Sequence, residues 1–209
     1  MSKIYLVRHG ATEWNHSRRA QGHADIDLGT EGYKQAVGAA RELAKTDLAA
    51  VYSSDLKRAV RTAEPIAREH GLEVIQDPDL REIDQGEWEG LHVDEIKKRW
   101  PDLWGAARHY SRRPGGESPE EVRRRAVAAL TRIVERYPDG DVAVVSHGGT
   151  IRTMSAEVLG YDERAASRLR GLGNGQIVYL EAHLEDGALA LDNFERWDGQ
   201  LPDLDDPND

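Results

Sequence analysis

The sequence predicts an α/β fold: a three-layer sandwich with a mostly parallel central sheet flanked by helices, and a small helical cap inserted into it. Three observations predict this class. Short apolar runs typical of parallel strands covered on both faces recur along the chain. Segments with apolar residues at helical spacing separate these runs. Two of the runs end in His-Gly, which places polar side chains where the carboxyl edge of a sheet would open.

The first strands and the first long helix follow from these patterns. Residues 3–7 and 49–52 are short apolar runs that predict buried strands, and residues 73–75 predict another. The helix between the first two strands is predicted from four apolar positions at helical spacing: Tyr33, Val37, Ala40 and either Leu43 or Ala44.

Two further helices have recognisable ends. Residues 56–70 predict a helix that stops at Gly71 and that Pro65 kinks or divides. Ser118-Pro119-Glu120-Glu121 is a capping box with proline at the first helical position. The helix after it has an apolar stripe of four residues: Val122, Ala126, Ala129 and Ile133.

The last third of the chain completes the predicted sheet. Residues 142–145 form an apolar run that predicts a buried parallel strand. A helix over residues 150–159 follows and is closed by Gly160. Residues 175–181 and 188–194 predict a hairpin that turns near Asp186-Gly187.

Length and charge limit the domain count and the partners. A chain of 209 residues can bury one good core, so we expect a single domain over residues 1–197. The cap is expected over about residues 91–116, and a disordered acidic tail over residues 198–209. The formal net charge of −10 argues against a nucleic-acid partner, because binding a phosphate backbone requires clustered Lys and Arg. A small anionic ligand is compatible with arginines that converge locally, and a homodimer is left open.

The compartment is predicted from composition. The chain has no cysteine, which excludes disulfides and thiol nucleophiles and fits a reducing compartment. The predicted first strand begins too early to leave room for a signal peptide, and no apolar run approaches membrane-spanning length. We therefore expect a cytoplasmic protein with no membrane partner.

Two strand ends carry the residues most suited to chemistry. Arg8-His9-Gly10 ends the first strand and places a titratable base beside a permanent cation. His147-Gly148 ends a later strand, and the amide groups of the helix that follows could receive an oxyanion. A lone histidine at a strand end is usually a packing or capping residue. Two such histidines at the same edge of one sheet instead predict a paired site.

A second cation is predicted at the same edge. Arg58 lies in the first turn of the helix that follows the second strand, and a planar guanidinium can bind two phosphate oxygens at once. Arg61 lies one turn further along and is interpreted as a solvated helix charge. An acidic segment beyond this helix offers four carboxylates among which composition does not choose: Glu82, Asp84, Glu87 and Glu89.

Four segments together resemble the histidine phosphatase superfamily, in the branch that contains phosphoglycerate mutases and bacterial sugar-phosphate phosphatases. They are Leu-Val-Arg-His-Gly-Ala-Thr-Glu-Trp-Asn at 6–15, the Ser-Ser-Asp-Leu-Lys-Arg run from 53, Leu-Arg-Glu at 80–82 with Gly-Glu-Trp-Glu-Gly at 86–90, and Ser-His-Gly-Gly from 146. The resemblance extends from Ile4 to about Ile151. It implies a metal-independent phosphomonoester hydrolase, without a cofactor, that acts on a small phosphorylated metabolite of the sugar phosphate or phosphoglycerate type.

The resemblance also implies the roles of the site residues. His9 would attack phosphorus as a neutral imidazole and form a phosphohistidine, and the adjacent Arg8 should favour that neutral form. Glu82 would protonate the leaving oxygen and then accept a proton from the water that cleaves the phosphohistidine. Three side chains would bind the transferring oxygens: Arg8, Arg58 and His147. Further phosphate ligands are expected at Asn15, Gln21 and the amide of Gly148.

Three alternatives remain at this point. Two histidines and a carboxylate could form a facial triad of metal ligands, although the cation of Arg8 beside His9 opposes a divalent ion. A mutase of the family would return the phosphoryl group to another oxygen. Mutases of this family usually carry a longer insertion after the catalytic glutamate, whereas residues 83–114 are compact and resemble the phosphatase side. A catalytically idle regulatory homologue is the third alternative, which the complete set of site residues disfavours.

Substrate specificity is expected from the predicted cap. This segment contains Trp100, Trp104, Tyr110, Arg112 and Arg113. The aromatic side chains could pack the cap onto the sheet, and the two arginines could contact an acidic substrate or be solvated.

Overall fold

A computed structural model describes residues 1–104, 111–158 and 172–196, without the side chains of residues 155–158 and 191–196. Its strands are β1 (Ser2–Arg8), β2 (Leu48–Ser53), β3 (Val74–Gln76), β4 (Asp141–Ser146), β5 (Ile177–Glu185) and β6 (Ala188–Arg196). Its α-helices are α1 (Glu13–His16), α2 (Thr30–Leu43), α3 (Lys57–Glu69), α4 (Val93–Arg99), α5 (Pro119–Arg136) and α6 (Gly148–Val158). Two short 3-10 helices span Pro78–Leu80 and Gly86–Trp88.

The strands form one sheet in the order β3-β2-β4-β1-β5-β6. The first four in that order run parallel, whereas β5 is antiparallel to both β1 and β6. Alternate residues of the central strands face opposite cores. One core packs against α5 and α6 and the other against α2 and α3, so helices cover both faces. The predicted α/β class with a mostly parallel sheet is confirmed.

The register of the two central strands brings their ends together. Arg8 of β1 is paired with Ser146 of β4, and the amide of His9 donates to the carbonyl of Ser146 at 2.9 Å. His9 and His147 are each the next residue after a strand end. The sheet therefore presents both histidines side by side at its carboxyl edge.

Helix α2 forms where it was predicted, and Ala40 and Leu43 of the predicted apolar positions are buried, whereas the first two positions are not. Tyr33 and Val37 are 45% and 43% exposed. The buried face consists of Gly32, Ala36, Ala39, Ala40 and Leu43. Small residues make this face because α2 lies directly on the chain that follows β1: a Cβ atom added at Gly32 would lie 2.1 Å from the carbonyl oxygen of Ala11.

The other predicted elements have clear outcomes. Helix α3 continues through Pro65 without being divided, and the capping box at Ser118 is formed. Helix α6 begins at Gly148, two residues earlier than predicted, while its expected stop at Gly160 lies outside the described residues. The hairpin of β5 and β6 turns at Asp186-Gly187, where both residues have positive φ, as predicted.

The predicted cap segment contains a short helix and an aromatic cluster. Helix α4 lies within residues 91–116, and the Trp88 ring lies 6.1 Å from that of Trp100 and 5.9 Å from that of Trp104. Residues 105–110, including Tyr110, and the acidic tail lie outside the described part. The cap and the single domain over 1–197 stay predictions. None of the helices described is both long and apolar enough to cross a membrane.

Candidate active site

Two histidines and two arginines are buried together at the carboxyl edge of the sheet. His9 and His147 are 2% and 0% exposed, and their ring centroids lie 5.1 Å apart. Arg58, at the second position of α3, is fully buried and is bonded to His147. The buried Arg8 acts electrostatically on Arg58. The structure thus brings together the two histidines and the two cations predicted from the sequence.

The hydrogen bonding of His9 fixes its tautomer. Its Nδ1 lies 2.7 Å from the carbonyl oxygen of Gly10. A carbonyl oxygen only accepts, so Nδ1 carries a proton and donates it. In the neutral ring, Nε2 then holds a lone pair, which is the form that a nitrogen nucleophile needs.

The loop over residues 172–175 holds the backbone of His9, a role that sequence analysis did not predict. The side-chain amide of Asn174 donates to the carbonyl of His9 at 2.9 Å, and the amide of Gly175 donates to the carbonyl of Arg8 at 3.0 Å. The guanidinium of Arg8 donates to the carbonyl of Leu172 at 2.6 Å. This loop thus holds both His9 and the neighbouring Arg8 in position.

The tautomer of His147 is the reverse of that of His9. Its Nδ1 accepts from Nε of Arg58 at 3.3 Å, and a guanidinium only donates. The proton of the neutral ring is therefore on Nε2, which is buried and has no hydrogen-bond partner in the described part of the chain. Burial, then the charge of Arg58, lowers the pKa of His147 well below its ordinary value. His147 is consequently a neutral donor at physiological pH.

Arg58 is oriented by backbone carbonyls as well as by His147. Its two terminal nitrogens donate to the carbonyls of Ala24 and Gly22, each at 2.8 Å. Burial lowers the pKa of Arg58 to about 10, which still leaves the guanidinium charged at neutral pH. The loop that supplies these carbonyls is held by Glu89, whose Oε2 accepts the amides of His23 and Ala24 at 2.9 Å. Glu89 therefore positions Arg58 through the loop.

Glu82 lies at the N-terminus of α6 and is 1% exposed. Its Oε1 accepts the amide of Ile83 at 2.9 Å and lies 3.1 Å from the hydroxyl of Thr150. Its Oε2 accepts the amide of Gly149 at 3.2 Å. The charge of Glu82 acts on Arg58, so the carboxylate shares the site with the cations. The Glu82 side chain thus bonds the first turn of α6, next to His147, and its assignment as the acid stays a prediction.

An arginine from α5 holds the backbone of Glu82 and was missed by sequence analysis. Nη2 of Arg125 donates to the carbonyl of Glu82 at 2.9 Å, and Nη1 donates to the carbonyls of Arg81 and Asp79 at 2.6 and 2.8 Å. Glu117 binds both Nε and Nη2 of Arg125 at 3.0 and 2.9 Å. All five N–H groups of Arg125 are therefore used. No local motif could have indicated this, since the partners are distant in sequence.

The predicted phosphate ligands lie in the loop after β1 and at the start of α6. Oδ1 of Asn15 accepts the amide of Thr12 at 3.0 Å, while its Nδ2 is buried and has no partner in the described residues. Gln21 is buried and accepts from the hydroxyl of Thr12 at 3.1 Å. Gly148 is the first residue of α6, directly after His147. These placements leave the three ligand assignments as predictions.

The remaining predicted arginines have different surroundings. Arg61 is paired with Glu64 at 3.0 Å on the exposed side of α3, in agreement with the prediction. Arg112 is exposed and paired with Glu121. Arg113 is buried, with its guanidinium 4.8 Å from the Trp88 ring. In the parts of the chain that the structure describes, no group of three or more His, Asp or Glu side chains is placed to hold a metal ion.

Comparison with known proteins identifies the family. A family model described as the histidine phosphatase superfamily (branch 1) matches residues 4–194. The chain belongs to the histidine phosphatase superfamily. This membership confirms the family that the four sequence segments resemble.

Relatives of this histidine phosphatase include phosphatases and mutases. Phosphoserine phosphatase 1 of Hydrogenobacter thermophilus is 38% identical over 189 residues, which cover 89% of this chain and 88% of the relative. A probable phosphoglycerate mutase of Cronobacter sakazakii is 38% identical over 173 residues, which cover 81% of this chain and 80% of the relative.

Two solved structures with the same fold are phosphatases. A mycobacterial glucosyl-3-phosphoglycerate phosphatase in complex with VO3 matches with a TM-score of 0.85 at 31% identity, over 95% of this histidine phosphatase and 99% of that chain. A phosphoserine phosphatase of Entamoeba histolytica in complex with phosphoserine matches with a TM-score of 0.76 at 28% identity, over 93% and 96% of the two chains. These relatives confirm the predicted enzyme class, a phosphomonoesterase.

Proposed function

We propose that this histidine phosphatase is a metal-independent phosphomonoester hydrolase that acts through a phosphohistidine on a small phosphorylated metabolite of the sugar phosphate or phosphoglycerate type. The observation that carries the proposal is the pair of opposite tautomers at the sheet edge. Nε2 of His9 has a lone pair, and Nε2 of His147 has a proton, beside the buried cations Arg8 and Arg58. A phosphate dianion requires both a nucleophile and fixed donors around it.

The first step forms the phosphohistidine. The Nε2 lone pair of His9 attacks phosphorus, the bond from phosphorus to the ester oxygen breaks, and Glu82 gives its proton to that oxygen. Arg8, Arg58 and the Nε2 proton of His147 stabilise the charge that spreads over the transferring oxygens. Asn15, Gln21 and the Gly148 amide are further donors to the phosphate.

The second step releases phosphate. A water molecule attacks the phosphorus bound to His9, Glu82 takes a proton from this water, and the nitrogen–phosphorus bond breaks. Inorganic phosphate leaves, and His9 and Glu82 return to their starting states. No step uses a metal or a cofactor.

The relatives support a small, phosphorylated metabolite as substrate. Two of them are named for phosphoserine and one for glucosyl-3-phosphoglycerate. A relative named as a probable phosphoglycerate mutase keeps phosphoryl transfer to a second hydroxyl as the alternative. A panel of phosphorylated metabolites, assayed for free phosphate and for isomerised product with a chelator present, separates hydrolysis from mutase activity and tests metal independence.

The His9→Ala variant tests the nucleophile. Turnover should fall by at least about a thousandfold, because no other side chain replaces the attacking nitrogen. During wild-type turnover, acid-labile and base-stable phosphate should accumulate on the protein, and none should appear in His9→Ala. His16→Ala is the control, since His16 is exposed on α1 and lies outside the site. Normal turnover in His9→Ala would exclude the proposal.

A further inference from the structure

The hydroxyl of Thr150, the third residue of α6, lies within hydrogen-bond distance of two acceptors, one of which is the proposed acid Glu82. Its Oγ1 is 2.9 Å from the carbonyl oxygen of Arg81 and 3.1 Å from Oε1 of Glu82. The side chain is fully buried, so water does not compete for the hydroxyl. Thr150 is not among the residues to which the sequence motifs assign a role.

The hydroxyl has one proton and therefore donates to one acceptor at a time. When it turns towards Glu82, the carbonyl of Arg81 keeps its bond from Nη1 of Arg125 at 2.6 Å. When it turns towards Arg81, a protonated Glu82 needs no donor at Oε1 and can itself donate. Both orientations thus leave each acceptor with at least one donor, because Oε1 of Glu82 also accepts the amide of Ile83.

We infer that Thr150 is a positioning residue whose hydroxyl changes acceptor as Glu82 loses its proton. The inference rests on the proposed role of Glu82 as the acid. Before transfer the hydroxyl donates to Arg81. As the proton of Glu82 moves to the ester oxygen, the hydroxyl turns and donates to Oε1, beside the donors already supplied by the Ile83 and Gly149 amides. No proton is gained or lost by Thr150 in the cycle.

The two chemical steps should respond differently to this hydroxyl. A hydrogen bond donated to a carboxylate stabilises its charged form, so it assists a carboxyl group that gives up a proton. The same bond does not assist a carboxylate that accepts one. Thr150 should therefore accelerate formation of the phosphohistidine and leave its hydrolysis unassisted. A side chain that merely held Glu82 in place would accelerate both.

The test is rapid-quench kinetics on Thr150→Val, which lacks the hydroxyl, and on Thr150→Ser, which keeps it. With an aliphatic phosphate ester, Thr150→Val should slow phosphohistidine formation about ten- to a hundredfold, as expected for one hydrogen bond to a charged group. With p-nitrophenyl phosphate, whose leaving group needs no proton, the loss should stay within about threefold. Hydrolysis of the phosphohistidine should not be slowed, and Thr150→Ser should restore most of the lost rate.

Two further variants make the outcome specific. Thr153→Val is the control, because Thr153 lies one turn further along α6 and its hydroxyl bonds the carbonyl of Gly149 instead. It should behave as the wild type. Glu82→Gln measured in parallel tests the proposed acid: equal losses with both esters would reject that role itself. A leaving-group difference in Glu82→Gln but not in Thr150→Val, or slowed hydrolysis in Thr150→Val, would overturn the inference about Thr150 alone. If Thr150→Val does not fold, Thr150→Ala serves in its place under the same criteria.

Discussion

At the scale of single residues, the two histidines show how neighbours determine the role of a side chain. A carbonyl acceptor beside His9 places its proton on Nδ1, and a guanidinium donor beside His147 places the proton on Nε2. The sequence shows the same residue type at two equivalent strand ends. The difference in role arises from Arg58, which is distant along the chain and joins the site only when α3 packs on the sheet.

The buried, neutral state of His147 predicts how stability depends on pH. Its pKa is lowered in the folded protein, so the unfolded chain binds this proton first as the pH falls. The free energy of unfolding that the neutral His147 imidazole contributes is fully present above about pH 6.5. It is lost below that pH, at up to about 1.4 kcal/mol per pH unit.

Urea unfolding between pH 7.5 and 5 measures this effect. The wild type should lose stability as the pH decreases through this window, and His147→Gln should lose less because it lacks the buried imidazole. His16→Gln, altered at an exposed histidine, should follow the wild type. Equal slopes in His147→Gln and the wild type would contradict the assignment.

At the scale of elements, helix α2 shows why small residues position the site. Gly10 and Gly32 lie at the contact between α2 and the chain that follows His9, where a Cβ atom added at Gly10 would lie 2.3 Å from the carbonyl oxygen of Gly32. Neither Gly10 nor Gly32 has room for a methyl group. Gly38, in the same helix, has nothing within 4 Å of such an atom.

Gly32 and Gly38, both in α2, predict opposite effects on stability when each is replaced by alanine. Gly32→Ala should destabilise the protein by about 1–3 kcal/mol, because the methyl group meets the backbone of Ala11. Gly38→Ala should stabilise it by about 1 kcal/mol, because alanine favours the helix and fills open space. Denaturant unfolding of both variants provides the comparison. Equal stability of the two variants would mean that α2 does not pack on this segment.

At the scale of the whole molecule, the sequence predicted the parts of the structure that depend on local patterns. Apolar runs marked the central strands, and strand-end motifs located His9 and His147. The packing face of α2 was predicted only in part: Ala40 and Leu43 are buried, but Tyr33 and Val37 face outward. Small residues, which contribute little to an apolar pattern, make the rest of the contact.

The support of the site was not predictable for a different reason. Arg125 binds the carbonyl of Glu82, and Asn174 binds that of His9, across 43 and 165 positions of sequence. A hydrogen bond to a backbone carbonyl can form whatever the side chain of the residue that carries the carbonyl. Such contacts therefore leave no recognisable motif at the site residue.

The two edges of the sheet should differ in function. The site occupies the carboxyl edge, whereas an open surface pocket of about 350 Å³ at the amino ends of β2 and β4 is lined by Asp47, Ala49, Asp139, Gly140 and Asp141. Asp47→Asn should leave kcat and KM within about twofold of the wild type, because distant and unconnected sites contribute independently. Steady-state kinetics on the substrate found in the metabolite panel measures this. A large loss of activity would mean that the two edges are coupled.

The pairing of Arg8 with Ser146 limits how this protein can change in length during evolution. Losing one residue inside β4 would draw His147 back by about 3.3 Å and turn its ring to the opposite face of the sheet. The loss of one residue from the turn before β4 would shorten exposed backbone and leave His147 in place. We therefore expect related chains to vary in the connections between strands, while the number of residues from the β1–β4 pairing to each histidine stays constant.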